Sequence, residues 1–200
     1  MNVTFSLGHK RFIIADYVFF LLIFILMGIL RPDLIMISAY GLLFIYLFIT
    51  RRKFAFYHLG VASFISLIWV LFANSEYGYN QKMLTLFGLN TYPLFAWATG
   101  LFVSYLIYAH WQEILQYKTF WKKLLLYAIF YWPILIFVET TAYHFLNVLN
   151  VAASSYPGLP FCDCIHAPRW MQTVYFILGP LYFSLCSLLG LEHKPFKKKK

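Results

Sequence analysis

Only 12% of the 200 residues are charged, and just 7 are acidic. Soluble domains carry about 25% charged residues, so the chain lacks the polar surface that an aqueous fold needs. Cysteine is scarce as well. Three cysteines are too few for a disulfide scaffold or for a zinc site built from two separated cysteine clusters. The sequence has no Gly-rich phosphate loop, no His-Glu-x-x-His, no Ser-centred elbow and no haem-type His pair. What fills the chain is apolar: 62% hydrophobic, 22% aromatic, mean hydropathy +0.70. A bilayer is the solvent that suits such a composition.

The apolar residues fall into six runs, at about 12–30, 34–50, 54–73, 92–108, 124–145 and 171–191. Each is near the roughly 20 residues that a helix needs to cross the hydrocarbon layer. The runs are continuously apolar, without the alternation of membrane strands, and a helix satisfies its own backbone groups. The expected fold is therefore an all-α polytopic transmembrane bundle, one membrane domain over 1–200. The first run is too long for the apolar stretch of a signal peptide, and no small-x-small cleavage pattern precedes Arg31-Pro32.

Thirteen of the 16 Lys and Arg lie in four clusters: Lys10/Arg11, Arg51/Arg52/Lys53, Lys118/Lys122/Lys123, and Lys194 with Lys197 to Lys200. They occupy every second connection. The positive-inside tendency puts both termini on the cytoplasmic side and the connections at 31–33, 74–91 and 146–170 on the other. Multi-pass membrane localisation follows, in the cell membrane of a prokaryote or the endoplasmic reticulum of a eukaryote. The basic residues flank spans and build no basic folded domain, which argues against nucleic acid as a partner. Anionic headgroups at the cytoplasmic face are the expected partners, with about 1 kcal/mol per basic residue available to the tail 192–200. In a eukaryote that tail also resembles a dilysine retrieval signal. Asp16, close to Arg11 in sequence, reads as an acid at a helix N-terminus.

Polar chemistry gathers near the end of the fifth span. Glu139, Tyr143 and Asn150 share one helical stripe, and Thr140, His144 and Asn147 the adjacent one. A carboxylate facing lipid is expensive, so Glu139 should face the bundle or a wet cavity. It is the preferred acid/base, with Asp163 or His144 as catalytic partner. Tyr143, Asn147, Asn150 and Arg169 are candidate substrate contacts. The plainer reading of Glu139 is a carboxyl at the headgroup boundary that bonds a neighbouring helix. Gly100-x-x-x-Ser104 reads as a helix-packing signal, and Tyr77, Tyr79, Tyr92, Trp97, Tyr156 and Trp170 as an aromatic belt.

The loop after the fifth span holds Cys162, Cys164 and His166 within five residues. Such a set suits a transition metal such as zinc, although one Cys-x-Cys pair is not the usual structural-zinc spacing. A redox pair, or a compact loop plugging the mouth of the bundle, fits the same residues. Cys186 reads as a small core residue.

Trp69, Tyr77-Gly78-Tyr79-Asn80, Gly88-Leu89 and Pro93-Leu94-Phe95-Ala96-Trp97 together resemble small multi-span carotenoid-pathway proteins, lycopene cyclase domains and related hydratases. The resemblance covers about thirty residues and implies a short helical membrane protein acting on isoprenoids. Leu94 and Phe95 stand where that family's pattern places paired acids, so no catalytic residue carries over. The expected function is a polar pocket that binds or modifies a lipid-like or isoprenoid substrate by acid–base chemistry. The alternatives are a non-enzymatic subunit or assembly factor docking a membrane protein partner, and a small transporter.

Overall fold

The computed structural model describes residues 10–151 and 155–191, with the side chains of 10–13, 53 and 113 outside that description. The tail 192–200 and the Lys10/Arg11 side chains, which figure in the charge reading, thus lie outside the described residues. Six α-helices account for nearly all of the described structure: α1 (Lys10–Ile29), α2 (Pro32–Ile49), α3 (Lys53–Ala73), α4 (Thr91–Leu115), α5 (Phe120–His144) and α6 (Arg169–Leu188). Among the described residues, α2 to α6 are long and apolar enough to cross a membrane, and α1 is apolar over Ile14–Ile29. Each expected span coincides with a helix. The main departure is α4, which runs on past residue 108 to Leu115.

The centre of the bundle is α4, which packs against α2, α3, α5 and α6. Its register buries Leu101, Phe102, Tyr105, Leu106, Tyr108 and Ala109. In contrast, α1 leaves Ile14, Leu21, Ile25 and Ile29 exposed and packs mainly on α2. An apolar helix that is bare on one side suits lipid contact.

Polar side chains hold α1 at its first turns. Asp16, 4% exposed, accepts from both Arg52 (3.1 Å to each carboxylate oxygen) and the Tyr46 hydroxyl (2.8 Å). His110 Nε2 on α4 lies 3.6 Å from the same carboxylate. This corrects the reading of Asp16 as a local helix-end acid beside Arg11: its partners come from the α2 end, the α2–α3 turn and α4. It also removes Arg52 from the set of headgroup-facing cations, since the guanidinium is buried.

At the opposite end, two loops are sewn together. Residues 85–90 form a hairpin, β1 (Thr85–Leu86) against β2 (Leu89–Asn90), closed by Phe87-Gly88 with φ of 50° and 79°. Positive φ at both positions is the signature of a primed hairpin turn. Asn90 then caps α4 by accepting from the Tyr92 amide at 3.0 Å. Asp33, fully buried, accepts from Arg31 (2.7 Å) and from the Leu84 amide (2.7 Å), which fastens this loop to the α1–α2 turn. The loop after α5 pairs with it antiparallel at Tyr79 and Asn150. Asn80 N donates to Leu149 O at 2.9 Å, and Val151 N to Gly78 O at 2.6 Å.

Helices α5 and α6 meet beside a proline inside α6, Pro180. Pro180 lacks the N–H that would engage Phe176 O four residues back, and Trp132 Nε1 donates to that carbonyl instead, at 3.0 Å. Tyr131 donates from its hydroxyl to Tyr175 O at 2.6 Å. Gly179 makes this approach possible, because a Cβ there would overlap the Tyr131 ring. Gly179→Ala is therefore expected to cost about 1–3 kcal/mol through overpacking, read as a lowered thermal midpoint of the solubilised protein. Tyr131→Leu in the same background should restore most of the loss.

Candidate functional site

The spacing of residues along α4 and α5 opens a slot between them. On α4 the facing stripe contains Tyr92, Ala96, Gly100 and Ser104, four residues apart, and on α5 it contains Tyr131, Leu135, Glu139 and Ala142. Small side chains at 96, 100 and 104 leave a groove where larger ones would close the gap. A Cβ built on Gly100 would meet nothing within 4 Å. The Gly100-x-x-x-Ser104 signal thus marks open space on this face, not the close helix contact that its spacing suggests. From Tyr92 to Ser104 the stripe spans about 18 Å of helix, and the cavity it bounds measures about 130 Å³.

Tyr175 of α6 lines one wall, and Tyr77, Tyr79, Val148, Asn150, Ile165 and His166 from the two sewn loops close the end. Asn150 donates from Nδ2 to Glu76 O. His166 stacks on Tyr143 with ring centroids 4.2 Å apart, and its two nitrogens face Tyr156 O and Asp163 O, each at 3.0 Å. Its hydrogen-bonding edges are thereby turned into the loop, and the ring is what the cavity meets.

Glu139 is the carboxyl of this cavity. It is half-buried, in keeping with a side chain whose open surface is the cavity it lines. No described residue hydrogen-bonds or pairs with it. The hydroxyls of Tyr77, Tyr79, Tyr92, Tyr131 and Tyr175 lie within electrostatic range of its charge. Burial pushes the Tyr77 and Tyr79 phenols well above their ordinary range, so both stay neutral.

The tyrosines form an oriented chain. Tyr77 Oη accepts from Trp69 Nε1 (2.7 Å) and Trp97 Nε1 (2.9 Å) and lies 3.2 Å from Tyr175 Oη. Indole N–H groups only donate, so the Tyr77 oxygen is occupied as an acceptor and its own proton goes to Tyr175. The Tyr175 O–H then has no described acceptor. Tyr79 and Tyr92 likewise form no hydroxyl hydrogen bond with a described residue. The slot is lined by apolar carbon and aromatic rings, with four O–H groups, those of Tyr79, Tyr92, Tyr143 and Tyr175, and one carboxyl left for an occupant.

Of the residues expected at the site, the structure gathers Glu139, Tyr143, Asn150 and His166 around the cavity. The side chains of His144, Asn147, Asp163 and Arg169 do not line it. His144 is exposed and its Nε2 contacts Asp163 O at 2.8 Å, so it holds the loop and stands apart from Glu139. The Asp163 carboxylate is 74% exposed and lies 3.3 Å from His166 Nε2. Asn147 accepts through its backbone carbonyl from the Asn80 and Gln81 side chains. Arg169 opens α6 as an exposed side chain.

Cys162 and Cys164 are joined to each other in a disulfide. Positive φ at Asp163 (44°) and Ile165 (56°) coils the segment tightly, and a Cβ on Gly158 would meet Asp163 and His166 within 3.0 Å. A bonded sulfur offers no thiolate, so the expected Cys162, Cys164 and His166 ligand set is not assembled in this structure. Among the described residues no cluster of three His, Cys, Asp or Glu could hold a metal ion. Gln172, 5% exposed, pins the same loop by donating to Pro157 O (3.1 Å) and Ile165 O (3.0 Å).

The residues that sequence reasoning missed are the tyrosines. Tyr77 and Tyr92 are 7% exposed and face inward, which corrects their assignment, with Tyr79 and Trp97, to an aromatic belt. The available signal was their position: all four flank α4's entry, beside the helix that carries the small-residue stripe. No family model matches the chain, and comparisons with curated proteins and with solved structures find no match either.

Proposed function

We propose that the chain is a six-span membrane protein with both termini cytoplasmic, whose slot between α4 and α5 lies on the outer side and binds and modifies a lipid-like or isoprenoid substrate. The observation that carries this reading is the Glu139 carboxyl, without a described partner, in the wall of a long, narrow and largely aromatic cavity. A carboxyl in such surroundings needs a donor, and the substrate is the natural source. In this reading Glu139 is the acid/base, and the O–H of Tyr175 orients the reacting group. Aromatic faces stabilise positive charge that develops on an isoprenoid when it is protonated. Asp163 and His144 shape the loop above the slot and, with the exposed Arg169, stay out of the chemistry. Anionic headgroups at the cytoplasmic face are proposed as partners of Lys118, Lys122 and the tail.

The test is Glu139→Gln, reconstituted in lipid and supplied with a membrane lipid extract, with products followed by mass spectrometry. Loss of a general acid/base should slow turnover about 10²- to 10⁴-fold at unchanged protein level. Equal product formation by the two proteins would remove the enzyme reading.

A second reading, a non-enzymatic subunit that docks a membrane partner, is favoured by Phe87, 96% exposed at the hairpin tip. Under that reading Phe87→Ser releases a co-purifying protein, whereas Glu139→Gln does not.

A further inference from the structure

The cavity combines a carboxyl with aromatic rings set at large angles to one another. Tyr79 stands at 90° to Tyr92 with centroids 5.3 Å apart, and lies parallel to Tyr77 at 6.2 Å. Trp97 meets Tyr175 at 65° and 4.6 Å. All of these residues line the space around Glu139, and Glu139 lies within electrostatic range of the Tyr77, Tyr79, Tyr92 and Tyr175 hydroxyls. Aromatic rings that line a cavity can attract a cation through their quadrupoles, and best when water is excluded. A carboxylate beside them supplies the opposite charge.

No Lys or Arg among the described residues lines the cavity. His166, the remaining basic group there, turns both nitrogens to loop carbonyls. Volume agrees with a small head. At about 130 Å³ the space is close to the roughly 150 Å³ of a cavity known to take up benzene, far too small for a whole lipid.

We propose that this site recognises an organic cation, a protonated amine or quaternary ammonium carried on an apolar chain, with the charged head held against Glu139 by the Tyr79, Tyr92, Trp97 and Tyr175 rings. Only the first carbons of the ligand's chain share the cavity, along the Ala96, Gly100 and Ser104 stripe of α4, and the rest of the chain extends beyond it. The inference rests on the reading of the slot as a pocket for a lipid-like substrate and names the chemical class of that substrate. It also accounts for the unengaged carboxyl: the ligand's charge, or its N–H, supplies the missing partner.

The experiment is calorimetric titration of the whole protein in a non-ionic detergent with hexyltrimethylammonium and with its neutral carbon isostere, in which C replaces N⁺. The cation is expected to bind roughly 10- to 100-fold more tightly. Glu139→Gln should remove most of that preference, and Tyr92→Leu should reduce the ratio of cation to neutral-probe affinity. Equal binding of the two probes by the wild type would overturn the cation assignment and leave the lipid pocket standing. Binding of neither probe, while a lipid still co-purifies with the protein, would likewise overturn the cation assignment alone. Binding of neither probe with no co-purifying lipid would overturn both. Retention of the full preference by Glu139→Gln would show that the cation binds elsewhere and overturn the site. Each variant's thermal midpoint is measured alongside, and Tyr92→Phe, which keeps the ring, should retain the preference if Tyr92→Leu proves too unstable to titrate.

Discussion

Asp16→Ala is expected to lower the stability of the solubilised protein by about 3–5 kcal/mol, the usual loss when one member of a buried ion pair is removed. The carboxylate takes both contacts from Arg52 Nη1 and one from Tyr46, and sits beside His110. Without it, a guanidinium that is 2% exposed loses two short contacts to a carboxylate inside the bundle. Packing gives α1 few other attachments, so the damage should begin with its detachment. Limited proteolysis in the α1–α2 turn measures that directly, alongside the thermal midpoint. Asp16→Leu combined with Arg52→Leu should recover most of the loss, because desolvation of both charges disappears with their attraction. If Asp16→Ala melts like the wild type, the pair is a surface contact and the burial of α1's inner turn is wrong.

Gly100→Phe has the largest expected effect on binding and nearly none on stability. The position is helical, a Cβ there meets nothing within 4 Å, and Phe has a better helix propensity than Gly. A benzyl group at that point occupies the middle of the slot, between Ala96 and Ser104. Substrate retention should therefore vanish while the thermal midpoint stays level or rises. Gly100→Ala, which adds only a methyl, should bind as the wild type does. A helix-packing role for Gly100 predicts the reverse pattern, with stability lost in both variants.

The six helices were legible because a run of apolar residues long enough to cross a bilayer has few other ways to satisfy its backbone. Their ends were less so. Hydropathy fades at His110 and Gln112, yet α4 continues to Leu115, since both residues are buried and Gln112 donates to Tyr117 O at 2.6 Å. Helical periodicity found half of the site. Glu139 and Tyr143 line the cavity from α5, but the helix ends at His144, so Asn150 reaches the cavity from the loop and not along a helical stripe, while His144 and Asn147 do not line it.

The tyrosines were hidden by an ambiguity of chemistry, because an aromatic residue near a span end serves equally as an interfacial anchor or as a wall. Only the fold of 74–91 over α4 decides between them. Asp16 was misassigned because the nearest cation in sequence is Arg11, while its partner Arg52 is 36 positions away. Cys162 and Cys164 suit chelation and cross-linking alike by spacing. The left-handed residues at 163 and 165 turn the loop back on itself and bring the sulfurs to each other.

The central claim is that the space between α4 and α5 is a ligand site with Glu139 in its wall. The most direct measurement is native mass spectrometry of the gently solubilised wild type beside Gly100→Phe, with the bound small molecules identified after release. The account predicts a lipid-like mass, bearing a basic nitrogen, on the wild type and its absence from the folded variant. The same mass on both proteins, at the same occupancy, would contradict it.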